Sequence, residues 1–478
     1  SMTFVPDDNG EARPDQLVCR TRVHARNDQQ SLWADQLVAG LDTSDEKTAE
    51  DSPQQGGLHS DNIIVRDFDA TGNVQVLTAD GARAFAQRLQ GDAQQEVARL
   101  TGNDVLIARS DVVIDRGNDL RLDRHAGTAD WIGPGRSRML ATPINISANN
   151  RIPPPRIVGQ DGGPTVTMRT TWTESMHYDS TFANGAGALD ITGNVESVVD
   201  RSDTERSSLK GDTLRLEFAR VVGGSTETQT PINDSDAIDP FGSGDRVLEL
   251  LIARGQARLE SRTWPTAERT ALPRVFYVGA MHLTWNDLRS EAKIVGDGDL
   301  IIREPNWEQK QRTGDGPFSG PGTSRFTWSQ NLDLTREQDD RFRITMTGDV
   351  QGRWKSAIDR RDIATITAQY VEVLTRRGEE SLTLEADAPL DMGSDMEVDQ
   401  LRARERVYLA TPTRRVDCHQ VDYNSRTRIA ELSSRPGRTV SLITEGSPMP
   451  VQATQMVWNM DPDVDTITLE RPRGSGIP

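Results

Sequence analysis

Apolar and polar residues alternate with period two in segment after segment of this chain. From Asp212 to Phe218, the residues Leu214, Leu216 and Phe218 fall on one side and Arg215 and Glu217 on the other, as in a strand with one face buried and one face wet. The alternation returns at Leu120 and Leu122, at Phe342, Ile344 and Met346, at Leu382 and Leu384, and at Ile467 and Leu469. A helix would space its apolar residues three and four apart, which these segments do not do. The expectation is an all-β protein of antiparallel strands, each with one thin apolar face.

Composition decides how such strands are deployed. A chain of 478 residues is too long for one core of ordinary size, so it forms either several domains or an elongated repeat array. Hydrophobic residues make up 35% and charged ones 27%, enough to bury one face per segment and little more. The formal net charge of -18 argues against nucleic acid as a partner, because a phosphate backbone is held by a basic surface. The cysteines Cys19 and Cys418 lie near opposite ends of the chain, and we read them as two free thiols rather than a disulfide or a thiolate metal site. No window approaches the roughly 20 apolar residues that cross a bilayer as a helix. The opening Ser1-Met2 looks like a cloning scar, and a signal peptide or membrane anchor cut from the chain is left open.

Two short phrases punctuate the strands. Glycine with Asn or Asp precedes an aliphatic residue at Gly72-Asn73-Val74, Gly102-Asn103-Asp104-Val105, Gly193-Asn194-Val195, Asp297-Gly298-Asp299-Leu300 and Gly348-Asp349-Val350. These residues tolerate a left-handed backbone, so each phrase is expected to be a tight turn that opens a strand. An aromatic followed by a small polar residue recurs at Tyr178-Asp179, Trp285-Asn286, Trp328-Ser329, Tyr423-Asn424 and Trp458-Asn459, where strands are expected to end. The segment from Ala82 to Leu100 has helical propensity, but Gly91-Asp92 breaks it, and we read it as strand-turn-strand. Breaks at Pro153-Pro154-Pro155, from Gly223 to Asp245 and from Glu304 to Ser324 suggest three lobes, over 1–155, 156–310 and 311–478.

No catalytic constellation emerges. The chain lacks His-Glu-x-x-His, the phosphate-binding Gly-x-x-x-x-Gly-Lys, Gly-x-Ser-x-Gly and a dinucleotide fingerprint after a strand. His24, His59, His125, His177, His282 and His419 are scattered singly. Asp67-Phe68-Asp69-Ala70-Thr71-Gly72 opens like a calcium loop, but Thr78 stands where the closing glutamate belongs. Asp461, Asp463 and Asp465 alternate as a solvated face. No metal, cofactor or enzymatic role is expected, and a carbohydrate-active β-solenoid is the least favoured reading.

The phrases carry a resemblance. Gly193-Asn194-Val195-Glu196 followed by Leu209-Lys210-Gly211-Asp212-Thr213-Leu214, and Gly72-Asn73-Val74 followed by Leu77-Thr78-Ala79-Asp80, resemble the OstA-like units of lipopolysaccharide-transport proteins. Ser31-Leu32-Trp33-Ala34-Asp35-Gln36-Leu37, Thr367-Ala368-Gln369-Tyr370-Val371 and Gln452-Ala453-Thr454-Gln455-Met456-Val457-Trp458 are similar to the second strand of such a unit. The likeness touches the chain from about residue 17 to about residue 470. It implies an elongated, twisted β-jellyroll, or β-taco, with an apolar interior groove for the acyl chains of lipopolysaccharide or a similar amphipathic lipid. It also implies a periplasmic setting in a Gram-negative envelope and edge strands that pair with other OstA-like proteins or with itself. Matching groove positions are Val74, Val76, Val105, Ile107, Val195, Leu214, Leu216 and Phe218, with Leu283, Trp285, Leu300, Ile302, Phe342, Ile344, Met346 and Val350 further on. The same periodicity suits a closed core, which leaves a cell-envelope scaffold binding partners through strand edges as the alternative.

Overall fold

The structure is a computed structural model that describes residues 1–6, 12–27, 30–43, 63–79, 81–109, 112–140, 166–220, 246–305, 321–337, 341–357, 362–377, 396–461 and 464–472. The described chain is all-β apart from one short helical turn. It divides into two compact units, Ser1–Val195 with Glu217–Val247, and Glu196–Leu216 with Leu248–Pro478.

In the first unit β1 (Met2–Pro6), β2 (Ala12–Arg26), β3 (Gln30–Thr43), β4 (Ile63–Thr78), β5 (Arg83–Asp92), β6 (Val97–Arg109) and β7 (Val112–Asp123) each pair antiparallel with the next. Two half-length strands, β8 (Thr128–Ile132) and β9 (Gly135–Leu140), then share the edge of β7. They pair in turn with β11 (Ser175–Asp179) and β10 (Val166–Trp172). After the turn α1 (Phe182–Gly185) comes β12 (Ala188–Ser202), which pairs with β11. The division between units falls within β12 and β13 (Glu205–Arg220).

The second unit continues the meander through β14 (Arg246–Thr263), β15 (Arg274–Asn286) and β16 (Glu291–Glu304). The half-strands β17 (Gly322–Trp328) and β18 (Asn331–Arg336) bridge β16 to β19 (Phe342–Ser356). Next come β20 (Asp362–Arg377), β21 (Met396–Ala410) and β22 (Arg414–Asn424). A second pair of half-strands, β23 (Ile429–Ser433) and β24 (Val440–Thr444), leads to β25 (Ser447–Asn459) and β26 (Thr466–Pro472).

The Gly-Asn/Asp phrases lie inside strands, not between them. Gly72-Asn73 has φ of 76 and 49°, Gly193-Asn194 of 85 and 45°, and Gly348-Asp349 of 80 and 43°. The left-handed backbone is as expected at these three, though not at Gly102-Asn103, where neither residue has positive φ, and two such residues in succession make a bulge that bends one continuous strand at a corner. The ladders slip there, between Thr71 and Val74 and between Thr347 and Val350. Thr21-Arg22, Gly255-Gln256 and Glu405-Arg406 form the same left-handed pair with other residues. Each long strand thus has two halves, and the half-strands are places where the corner interrupts the chain. In the 297–300 phrase the left-handed residue is Gly296, while Gly298 sits under Trp328, whose Cζ2 would be 2.2 Å from an added Cβ.

The aromatic-polar phrases do end strands. Tyr178-Asp179, Trp285-Asn286, Tyr423-Asn424 and Trp458-Asn459 close β11, β15, β22 and β25, and Trp328 closes β17. The polar residue caps the following turn. Asp179 Oδ1 accepts from the backbone N–H of Thr181 at 2.8 Å, Asn286 Oδ1 from Arg289 at 2.9 Å, and Asn424 Oδ1 from Arg426 at 3.0 Å. Ala82 to Leu100 is strand-turn-strand, with β5 and β6 joined by a turn over 93–96 that Asp92 caps.

The proline-rich 152–155 stretch, 223–245 and most of 304–324 lie outside the described residues, as do Leu382 and Leu384. Strands on either side of 141–165 and of 306–320 pair directly, β9 with β10 and β16 with β17. The lobe boundaries expected at 155 and 310 lie outside the described residues.

Candidate functional site

Residues opposite one another in a ladder point to one face of a sheet, so the register can be followed from strand to strand. In β19 every second residue from Phe342 to Ser356 is buried, straight through the corner, and this defines an inner face. On the hairpin side of the corner the inner face carries an unbroken row, Leu283, Ile294, Leu332, Met346, Val371, Ala403, Val421, Leu432 and Met456, each opposite the next. Beside it runs Leu251, Trp285, Ala292, Leu334, Ile344, Val373, Leu401, Tyr423, Ala430 and Trp458, in which large rings face small partners. All of these are buried. The first unit has its own row on that side, with Leu37, Ala70, Leu89, Leu100, Leu120, Trp131, Met176 and Ile191. Trp131 there meets Trp172 edge-on at 6.2 Å.

Beyond the corner the two units differ. In the second, the row three positions past the left-handed pair reads Leu259, Val278, Leu300, Phe326, Gly352, Ile366, Leu409 and Val416. Its side chains are at most 2% exposed. In the first unit, Val74 and Val105 stand next to the corner and are buried, as Val350 is. One row further out, Ala25, Leu32, Val76, Ala84 and Ile107 face one another across five strands, and every one is half-exposed. On these strands past the corner it is the opposite face that is buried, with Leu77, Phe85, Leu106, Ala108 and Val113, and the row is closed only at Ile114, opposite Ile107. Two of the five half-exposed residues are alanines, where the second unit places Leu, Phe and Ile and adds a further row with Phe276 and Trp354.

The sixteen residues singled out from sequence therefore divide. Val74, Val105, Val195, Leu214, Leu283, Trp285, Leu300, Phe342, Ile344, Met346 and Val350 are buried, and Val76, Ile107, Leu216, Phe218 and Ile302 are half-exposed. Val76 and Ile107 lie in the accessible row, whereas Leu216 and Phe218 lie towards the end of β13 and Ile302 towards the end of β16. Sequence reasoning missed Ala84, hidden in a segment of helical composition, and Leu32, although both stand at positions that the Gly72-Asn73 pair indexes through the ladder.

The opposite face of the same strands is buried, with Leu77, Phe85, Leu106, Ala108 and Val113 as an apolar core and several polar groups beside them. Gln75 is 2% exposed, and its Nε2 has no hydrogen-bond partner. Asp115 accepts two hydrogen bonds from Arg136, at 2.9 and 2.8 Å, and one from Arg138. Burial pulls the Arg138 and Arg83 guanidinium pKa values down from the usual range. Elsewhere, Asp69 of the calcium-loop-like phrase is paired to Arg88 at 2.6 Å and Asp67 to Arg66 at 2.9 Å. His177 Nδ1 lies 2.6 Å from Asp130 on an exposed face, and His282 lies 3.2 Å from the Thr284 hydroxyl. Burial pushes the Cys418 thiol up to about 12. Among the described residues no cluster of His, Cys, Asp or Glu has the make-up of a metal site, and no helix is long and apolar enough to cross a membrane.

No model of a known protein family matches this chain, and no curated protein matches it.

Proposed function

We propose that this chain is a non-enzymatic carrier or bridge for an amphipathic lipid of the lipopolysaccharide type, in a bacterial envelope. In this reading the corner-bent meander is an OstA-like jellyroll. The observation that carries it is the half-exposed aliphatic row of the first unit, Leu32, Val76, Ala84 and Ile107. Acyl chains laid along that row would each gain about 0.8 kcal/mol per buried methylene, while the charged headgroup stays in water. Edge strands β1 and β26 each pair on one side only among the described residues, so backbone groups remain for strand addition by a neighbouring protein.

The closed rows of the second unit favour the alternative for that part of the chain, a scaffold whose packed core holds strand edges in place. Photo-crosslinking amino acids at Val76 or Ile107, exposed to Gram-negative lipid extract, separate the two. A lipid adduct at these positions and none at Phe326 is the expected result. Protein-only adducts at all three positions would leave the scaffold reading.

A further inference from the structure

We infer that the outward face of β14–β19 in the second unit docks on an anionic membrane surface. Arg262, Arg303 and Lys355 lie in one register row, with Val275 and Thr323 between them. In the row beside it Arg325 stands directly opposite Arg353, and Arg258 is one row nearer the corner. All six are exposed. Two of them have acidic partners on this face, Arg262 with Glu260 at 2.5 Å and Arg325 with Asp299 at 3.3 Å. Arg258, Arg303, Arg353 and Lys355 form no ion pair among the described residues.

Arginines face each other elsewhere too, Arg99 opposite Arg121 and Arg138 opposite Arg169, but there acids accompany them: Asp119 meets Arg99, Asp123 lies near Arg121, and Asp115 holds Arg138. Like charges directly opposite in a sheet are destabilising, so the arrangement costs the isolated protein. In a chain of net charge -18, a field of uncompensated cations is also a local exception. An anionic surface would relieve both costs.

Exposed apolar residues decide which anionic surface. Leu272 is 69% exposed in the loop that leads into β15, at the outer end of this face. Met281 and Val295, 60% and 49% exposed, lie at its corner end, since Val295 follows the inner residue Ile294. Cations framed by protruding aliphatic side chains suit a headgroup layer with hydrocarbon beneath it, and a soluble polyanion has no use for the aliphatic part. The inference does not rest on what the interior holds.

The test is sedimentation of the whole chain with vesicles of phosphatidylglycerol and phosphatidylcholine, against phosphatidylcholine alone. Binding only to the anionic vesicles, reversed by 0.5 M salt, is expected. Replacing Arg303, Arg353 and Lys355 together by Gln should weaken partitioning on the order of a hundredfold, about fivefold per cation. Leu272→Ser with Met281→Ser should weaken it further at constant charge. All are exposed positions, so the variants keep the fold, which their unfolding curves verify. No binding to anionic vesicles, or equal binding by the triple variant, overturns the inference. So does a triple-variant defect seen with heparin but not with vesicles, or a loss of self-association in place of vesicle binding.

Discussion

The same row of the meander, counted from the corner, is half-exposed in the first unit and sealed in the second. Val76 and Gly352 stand at equal distances past their left-handed pairs, yet Val76 has alanine and leucine neighbours while Gly352 lies between Phe326 and Ile366. Past the corner the first unit buries the face opposite Val76, with Leu77, Phe85, Leu106, Ala108 and Val113, whereas β19 of the second keeps one face buried from end to end. The same bent strand can thus leave an apolar strip half-exposed or seal it, and fold alone does not decide function.

The sharpest way to break this comparison is to empty the sealed unit. Trp354 is 4% exposed and paired with the small residues Ser324 and Ala364. Trp354→Ala should cost about 3–5 kcal/mol, the lost burial of the indole plus the cavity it leaves in a packed face. Ile107→Ala, in the half-exposed row, should cost only about 1 kcal/mol, since part of that surface is already wet. Urea unfolding of both variants reads the difference directly. Equal losses would mean that the first unit is as tightly packed as the second.

Filling the interior gives the converse test with a smaller effect. An added Cβ at Gly352 would lie 2.6 Å from Phe326 Cε1 and 2.7 Å from Ile366 Cγ2. Gly352→Ala should therefore destabilise by about 1–3 kcal/mol through overpacking, with no contribution from backbone strain at this position. Ala84→Val adds more volume to the row beside Val76 and Ile107, and should stay within about 0.5 kcal/mol of the parent because space is open there. Thermal midpoints measured side by side suffice. A larger loss for Ala84→Val would remove the argument for an accessible row.

Much of this was legible in sequence, and the failures are instructive. Alternation in segments such as 342–346 revealed the strands, and Tyr178-Asp179 or Trp285-Asn286 revealed where strands end, because both signals are local. Gly72-Asn73 revealed the left-handed backbone but not its setting: a turn and a mid-strand corner use the same φ values, and only the ladder that continues on both sides of it, Thr71 opposite Gln36 and Gln75 opposite Trp33, tells them apart. Corners at Thr21-Arg22 and Glu405-Arg406 carried no signal, since nothing in those side chains favours positive φ. The accessible row was half visible: Val76 and Ile107 were named for their aliphatic character, but exposure depends on Ala84 and Leu32 across the ladder, which no single segment displays.

The smallest expected effect sharpens how the second unit closes at its outer end. Trp264 follows the last residue of β14, is 9% exposed, and donates its backbone N–H to Thr204 O at 2.8 Å. Arg269 lies 4.8 Å over its ring and is paired to Asp200 at 3.2 Å, while Asp200 is also held by Arg206 at 2.8 Å. Burial alone would raise the Asp200 pKa, but the hydrogen bonds and charges of Arg206 and Arg269 outweigh it and bring it below the ordinary 3.8. A depressed folded pKa supplies stability that is present above the ordinary value and is lost as pH falls below it through the lower folded value. Asp200→Asn should therefore lower stability at pH 7 by under about 1 kcal/mol, because the pair is solvent-screened. The gap between the variant and the parent should narrow as pH drops below 3.8. Unfolding midpoints taken from pH 7 to pH 3 check this, and a gap that does not change with pH would show that the Arg206 and Arg269 contacts do not hold Trp264 through the Asp200 charge.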